Sequence, residues 1–245
     1  HELSYKSEVF NLHAVLPLFY YHTLMQDGFR PSERLSEGKL YFEPRGWVSY
    51  KFASDFTLNL NGSIALTQPS LSSLYAGYIM QSYRSLTRHE MRQFSSRTAS
   101  TGLTLSYKDI FSMLFLSSGV IYSHHRSEAI SSLKIDPPLN VVERLPLPHS
   151  GQSYSANARF SKGYDWISLS VSGDVALGQS EGKSYLEGKL LGYTSQWASA
   201  SGRCSLKPLP WLTMEYNVAW GLHRSRLENR SWLTPIQSLS HKVIS

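Results

Sequence analysis

The sequence predicts an all-β fold, an antiparallel up-and-down transmembrane β-barrel of about 10–11 long strands. Three observations carry this reading. Stretches of ten or more residues alternate apolar and polar positions with period two, the mark of a strand with one apolar and one polar face. A short unit built from lysine, a turn and an aromatic recurs five times. Longer polar segments lie between the hairpins that these units define. Residues 1–245 read as a single β-barrel segment, part of a larger barrel and truncated at both ends.

The recurring unit reads SYKSEVF at 4–10, SYKFASDF at 49–56 and SYKDIF at 106–111, with looser copies FSKGYDW at 160–166 and SLKPLPW at 205–211. Its lysines are Lys6, Lys51, Lys108, Lys162 and Lys207, spaced 45 to 57 residues apart. An internal repeat of this length signals a repeated supersecondary unit. Here that unit is a β-hairpin. After the second turn, Phe56, Leu58, Leu60, Ile64 and Leu66 share one parity and Thr57, Asn59, Asn61 and Ser63 the other. After the fourth, Ile167, Leu169, Val171, Val175 and Leu177 oppose Ser168, Ser170, Ser172 and Asp174. After the fifth, Leu212, Met214, Tyr216, Val218, Trp220 and Leu222 oppose Thr213, Glu215 and Asn217. The segments leading into the turns behave alike: Tyr154, Ala156, Ala158 and Phe160 share a side, as do Leu103, Leu105 and Tyr107. In KLYFEPRGWVSYK, Pro44 and Gly46 predict a bulge or distortion. Residues 111–123 alternate poorly and their facing stays open. Residues 22–38, 67–95, 126–150, 178–185 and 225–239 read as long irregular loops, so that short connections alternate strictly with long ones.

Composition narrows the solvent that the apolar face meets. Charged residues make up 17% of the chain, below the roughly 25% usual for soluble domains. The net charge of +6 is scattered without a basic run, which argues for a solvated surface and against nucleic acid. A single cysteine, Cys204, excludes a disulfide framework. No apolar stretch is long enough for a transmembrane helix. The strands, however, have the roughly 9–11 residues that a tilted strand needs to cross a bilayer. Glu43, Arg45, Arg159, Asp174, Arg203 and Glu215 all fall on the polar parity, as a lipid-facing apolar side requires. Tyr5, Phe10, Tyr50, Phe56, Tyr107, Phe111, Phe160, Trp166 and Trp211 flank the turns and are expected to form a membrane-interface girdle, because aromatic rings favour the headgroup zone. A soluble β-sandwich binding protein is the alternative.

The stretch LYFEPRGWVSYKFASDFTLNLNGSIALTQPSLSSLYAGYIMQSYRSLTR resembles the barrel of TonB-dependent outer-membrane receptors of the Bacteroidota. The resemblance lies in Pro44-Arg45 ahead of the Tyr50-Lys51 turn, in Gln68-Pro69-Ser70, in the run from Leu74 to Ile79, and in Tyr83-Arg84. It implies the outer membrane of a Gram-negative bacterium and a barrel of twenty-two strands around an N-terminal plug. It also implies import of a scarce small-molecule, glycan or peptide ligand, driven by TonB. TonB would act through a plug domain outside these residues.

The residues show no catalytic constellation, metal motif or cofactor fingerprint, and the chain does not read as an enzyme. His124-His125 is the one adjacent histidine pair, and neighbouring strand residues point to opposite faces. Two further alternatives remain open. One is a passive porin-like channel. The other is an outer-membrane barrel enzyme of the omptin type, drawing on His22, Asp27, His89, His124, His125, His149, His223 and Asp136. Ligand recognition is expected in the segment 67–95, at Tyr75, Tyr78, Tyr83, Arg84, Arg88 and His89, because tyrosine and arginine are favoured at recognition surfaces.

Overall fold

A computed structural model describes residues 1–26, 34–68, 77–89, 92–136, 139–186, 188–209, 211–228 and 235–244. Eleven wall strands follow one another: β1 (Glu2–Lys6), β2 (Phe10–Val15) continued by β3 (Leu18–Gln26), β4 (Arg34–Phe42) continued by β5 (Arg45–Lys51), β6 (Phe56–Thr67), β9 (Ser96–Asp109), β10 (Leu114–Ser127), β13 (His149–Tyr164), β14 (Leu169–Leu186), β15 (Lys189–Leu209), β16 (Leu212–Leu227) and β17 (Ile236–Ile244). Two further hairpins, β7 (Gly77–Ser82) with β8 (Ser85–His89) and β11 (Ile130–Asp136) with β12 (Leu139–Leu145), stand in the segments between wall strands. Each wall strand pairs antiparallel with the next, so the topology is up-and-down throughout. The sheet does not close: β1 and β17 are its two edges. Among the described residues the strands form one large sheet and a two-stranded extension, β3 with β4, an arrangement that matches a barrel wall and replaces the sandwich alternative.

All five repeated units are hairpin turns. The SYKDIF turn shows why the motif works. Asp109 Oδ1 accepts hydrogen bonds from the backbone N–H groups of Phe111 (3.0 Å) and Ser112 (3.1 Å), which closes the turn locally. These bonds, from Ser112 first, hold the Asp109 carboxyl below its ordinary range. The fourth turn contains a single 3-10 turn at Asp165–Ile167 that ends on Ser168 in the left-handed region. The distortion expected near Pro44 is a break: pairing stops between Val15 and Leu18 on one strand and between Phe42 and Arg45 on the other. Pro17 and Pro44 sit in those gaps, where neither could donate to a ladder.

The expectation of strictly alternating short and long connections is corrected at 178–185. These residues are strand, and β14 runs unbroken to Leu186 with only residues 187–188 before β15. Their polar composition, QSEGKS, is what a strand shows once both faces meet water. Polarity there marks the end of the apolar belt, not the end of the strand. Segments 67–95 and 126–150 also contain hairpins where irregular loops were expected, and 22–38 contains the ends of β3 and β4.

Register aligns the apolar positions. One lateral row reads Tyr5, Leu12, Val48, Leu60, Leu103, Val120, Ala156, Leu177, Ala198, Leu222, Gln237, with each residue the direct partner of the next. The same row fixes the facing of β10: Leu116, Val120 and Tyr122 belong to the apolar side. The row also shows stagger. Leu60 lies four residues above the first residue of its strand, and Leu222 lies ten above the first of its own, six strand steps away. That is one residue of offset per strand. With about 3.3 Å rise per residue and 4.8 Å between strands, the strands incline by about 35°, within the range of membrane barrels.

Candidate functional site: the polar wall and the outer hairpins

The face opposite the apolar row is a small-residue polar surface. Its most regular feature is a line of seven serines, one from each of seven neighbouring strands: Ser63, Ser100, Ser123, Ser153, Ser180, Ser195 and Ser225. The Oγ atoms of Ser100 and Ser123 are 2.9 Å apart. Alternation put Ser63, Ser100 and Ser153 on the polar parity, but only the register puts all seven in one row. Two ion pairs lie on this face. Arg159 pairs with Asp174, which also accepts a 3.3 Å hydrogen bond from the Ser201 hydroxyl. Arg203 Nη2 lies 2.6 Å from Glu215 Oε2. Trp197 folds over Gly178, where a Cβ would lie 2.6 Å from the indole, so the ring lies against the wall. Such a surface offers neutral donors and acceptors and two ion pairs.

The outer ends of the strands carry a second layer. Strand β11 pairs in parallel with the top of β14, and β12 pairs in parallel with β8. The two hairpins therefore pair into one four-stranded extension of the wall sheet. Of the residues expected to recognise ligand, Tyr78 and Arg88 are direct cross-strand partners, and the Arg88 guanidinium sits 5.7 Å from the Tyr78 ring centroid. Arg88 also donates to Glu143 Oε1 at 2.9 Å, which ties β8 to β12. Tyr83 and Arg84 form the tip of the β7–β8 hairpin, 5.6 Å apart, and Tyr83 is 85% exposed. His89 ends β8. Tyr75, like Asp27, lies outside the described residues.

Where these hairpins spring from the wall there is a buried cluster that the sequence reading missed. Leu35, Tyr41, Phe94, Ala129 and Ile130 are buried, together with Gln93 and Ser127. The Phe94 ring lies between the guanidinium groups of Arg92 (5.6 Å) and Arg144 (5.9 Å). Lys39 Nζ donates to the Gln93 carbonyl at 3.0 Å and lies 3.5 Å from Glu128 Oε2, which accepts the Ser95 N–H at 2.8 Å. Burial alone would raise the Glu128 carboxyl. The Ser95 hydrogen bonds and the Lys39 charge outweigh it and hold the group below its ordinary value. Burial, with Glu128 and Glu37 nearby, pushes the Tyr41 hydroxyl up. Three chain segments far apart in sequence build this cluster, so no local pattern announced it.

His124 and His125 point to opposite faces of β10. His125 Nδ1 lies 3.0 Å from the Thr98 hydroxyl and its ring 6.4 Å from that of His149. Burial, and then the neighbouring His149 and His124, hold its pKa below the ordinary histidine value. Among the described residues no three His, Cys, Asp or Glu side chains gather in a metal-binding group. At the turn end, aromatic rings touch in a chain: Tyr50 to Phe52 at 6.4 Å, Phe52 to Phe56 at 5.3 Å and Phe56 to Tyr107 at 4.7 Å. Phe52 joins this chain without having been among the nine expected girdle residues. Tyr5 and Phe10 lie 6.1 Å apart, and Phe160 is the cross-strand partner of Leu116. Phe111, Trp166 and Trp211 occupy the turns themselves and are highly exposed.

No family model matches this chain, and no curated protein does. Among solved structures, the fold matches the ferric-catecholate import receptor Fiu of Escherichia coli K12 with a TM-score of 0.56 at 8% identity. The match covers 99% of this chain and 44% of that one, so the chain spans less than half the length of that receptor. At this identity the likeness shows the barrel-wall fold.

Proposed function

We propose that the chain is wall and outer-loop structure of an outer-membrane import receptor of the TonB-dependent class, in a Gram-negative bacterium. One observation carries the reading most directly. An apolar row spans ten of the eleven tilted strands, and Arg159 and Arg203 on the opposite face pair with Asp174 and Glu215. Lipid on one side and a polar lumen on the other account for both. The likeness to an import receptor supports the choice of receptor over passive pore.

In this reading the edges β1 and β17 are closed by further strands, because an open ladder has no partner in hydrocarbon. TonB acts through a plug outside these residues. The serine row and paired charges face the lumen and pass ligand without holding it by net charge. The β7–β8 hairpin presents Tyr78, Tyr83, Arg84 and Arg88 to ligand at the outer mouth, with Arg88 also serving to dock the hairpin. The nine turn-end aromatics sit at one level, since the one-residue stagger per strand cancels the tilt. No step of this function is catalytic.

Uptake into whole cells tests the reading. Removing TonB from the host, with the full-length protein present, abolishes uptake of a receptor's ligand and leaves that of a passive pore unchanged. Uptake that persists without TonB refutes the receptor reading and favours a porin.

A further inference from the structure

Three neighbouring strands bring two imidazoles together on the polar face, above the serine row. His125 stands on β10, with Thr98 of β9 and Gly151 of β13 as its direct partners. His149 begins β13, two residues before Gly151, and is the direct partner of Ser127. The ring centroids of His125 and His149 are 6.4 Å apart. The other two corners of this square leave the space to the rings. Gly151 has no side chain, and a Cβ there would lie 2.6 Å from the Glu181 carbonyl oxygen. The Ser127 hydroxyl donates instead to the Ala129 carbonyl at 2.8 Å. One nitrogen of each ring is already engaged. His149 Nδ1 lies 3.4 Å from the Leu147 carbonyl oxygen, which can only accept, so Nδ1 carries the hydrogen and Nε2 keeps its lone pair. At His125, Thr98 Oγ1 lies 3.0 Å from Nδ1 and can accept in the same way. Neither Nε2 has a hydrogen-bond partner among the described residues. One ring nitrogen tied back and the other left bare is the arrangement of a metal-ligating histidine. Pro146 and Pro148 flank Leu147 and fix the backbone on both sides of the carbonyl that orients His149.

We infer that His125 and His149 form a binding site for a borderline transition-metal ion, with copper preferred. The site stands on β9, β10 and β13 alone; under the receptor reading above, it lies on the lumen side of the outer mouth. Two imidazoles that share one metal through bonds of about 2.0–2.1 Å have ring centres roughly 5–6.5 Å apart, so the observed 6.4 Å needs little movement of either ring. A separation near the upper end of that range puts the rings on opposite sides of the ion. Such a placement suits tetragonal or square-planar copper and leaves the positions between the rings open. Among the described residues no third His, Cys, Asp or Glu joins the pair. Imidazole nitrogens without carboxylates disfavour magnesium and calcium, and among copper, nickel and zinc copper binds most tightly. The one thiol, Cys204, lies toward the turn end of β15. Water, or small ligands that arrive with the ion, fill the remaining positions. With two protein ligands the ion exchanges readily, as a cargo does and a permanent cofactor does not.

The test is metal binding to the full-length protein in detergent, without a polyhistidine tag, using Cu(II), Ni(II), Zn(II) and Ca(II) as probes. Wild-type protein binds Cu(II) at least about tenfold more tightly than Zn(II) and shows no site for Ca(II). The electron paramagnetic resonance spectrum of the bound Cu(II) shows coupling to two nitrogens. H125Q and H149Q each remove one equivalent of Cu(II) together with that two-nitrogen signal. His124→Gln, next in sequence but on the opposite face, leaves both unchanged. Thr98→Val weakens binding about tenfold without removing it, as loss of an outer partner does. Bound Cu(II) in wild-type protein that couples to one nitrogen or to none overturns the inference and needs no variant. Copper binding unchanged in H125Q/H149Q also overturns it. Loss of the same equivalent in His124→Gln assigns the ion elsewhere and overturns it too. Uptake without TonB tests the receptor reading separately, and neither result decides the other.

Discussion

The wall and the loop base differ in where their apolar side chains go. Across the wall the large apolar side chains are exposed: Leu60, Val120, Leu177 and Trp220 all show a third or more of their surface. At the loop base Phe94, Tyr41 and Ile130 are buried as in a water-soluble protein. Among the described wall residues there is no buried core. In the proposed reading the hydrophobic partner of the wall is lipid, and its internal order comes from backbone ladders, which must all be satisfied in hydrocarbon. The loop base meets water, where burying apolar area is the driving force. Substitutions should separate the two regions cleanly.

The largest effect is expected at the loop base. Phe94→Ala removes a buried ring and two cation–π contacts and costs about 3–5 kcal/mol. Limited proteolysis should then cut within 77–89 and 130–145 while the wall strands stay protected. Equal loss of protection in both regions would mean that they are one cooperative unit. In the wall, Leu177→Arg puts a charge at mid-belt and costs roughly 2–4 kcal/mol, whereas Ala176→Arg, one residue away on the polar face, should be tolerated. Outer-membrane assembly assays of the two variants should differ sharply, and equal tolerance would sink the assignment of faces.

Acid should loosen the loop base before the wall. The folded-state pKa of Glu128 is depressed, so its contribution is complete above the ordinary carboxylate value of 4.5 and is lost as pH falls through the lower folded value. Hydrogen exchange at Ser95 and in β11–β12 should rise in that window. Glu128→Gln should flatten the pH dependence, and an unchanged profile would remove Glu128 from the cluster. The smallest effect is expected for Glu215→Gln. The Arg203–Glu215 pair is largely exposed on its arginine side, and such pairs contribute about 0.2–1 kcal/mol. Thermal unfolding should barely move.

Period-two alternation is a local property, so strands such as Leu212–Leu222, their two faces and the five turns were legible from residue order alone. The turn chemistry of Asp109 is local too. Three features were not legible. The upper part of β14 lost its apolar parity on leaving the belt, and so resembled a loop. The hairpin β11–β12 is held by parallel pairings to β14 and β8, partners 45 or more residues away. Phe52 lay inside a turn and gave no sign of bridging Tyr50 and Phe56. Of the candidate ligand residues, Tyr78 and Arg88 are brought together by hairpin register, which spacing could not supply.

By itself the sequence determined that the chain is an antiparallel β wall with an apolar and a polar side, because side-chain direction in a strand depends only on the parity of a position. Which residues share a level was decided by tertiary structure. The row of seven serines, the facing pair Arg97 and Arg126, the one-residue stagger and the cluster around Phe94 all depend on how strands slide against one another. That sliding is set jointly by turn lengths, by ladder hydrogen bonds and by the alignment of apolar positions into one belt. None of these is a property of any single segment.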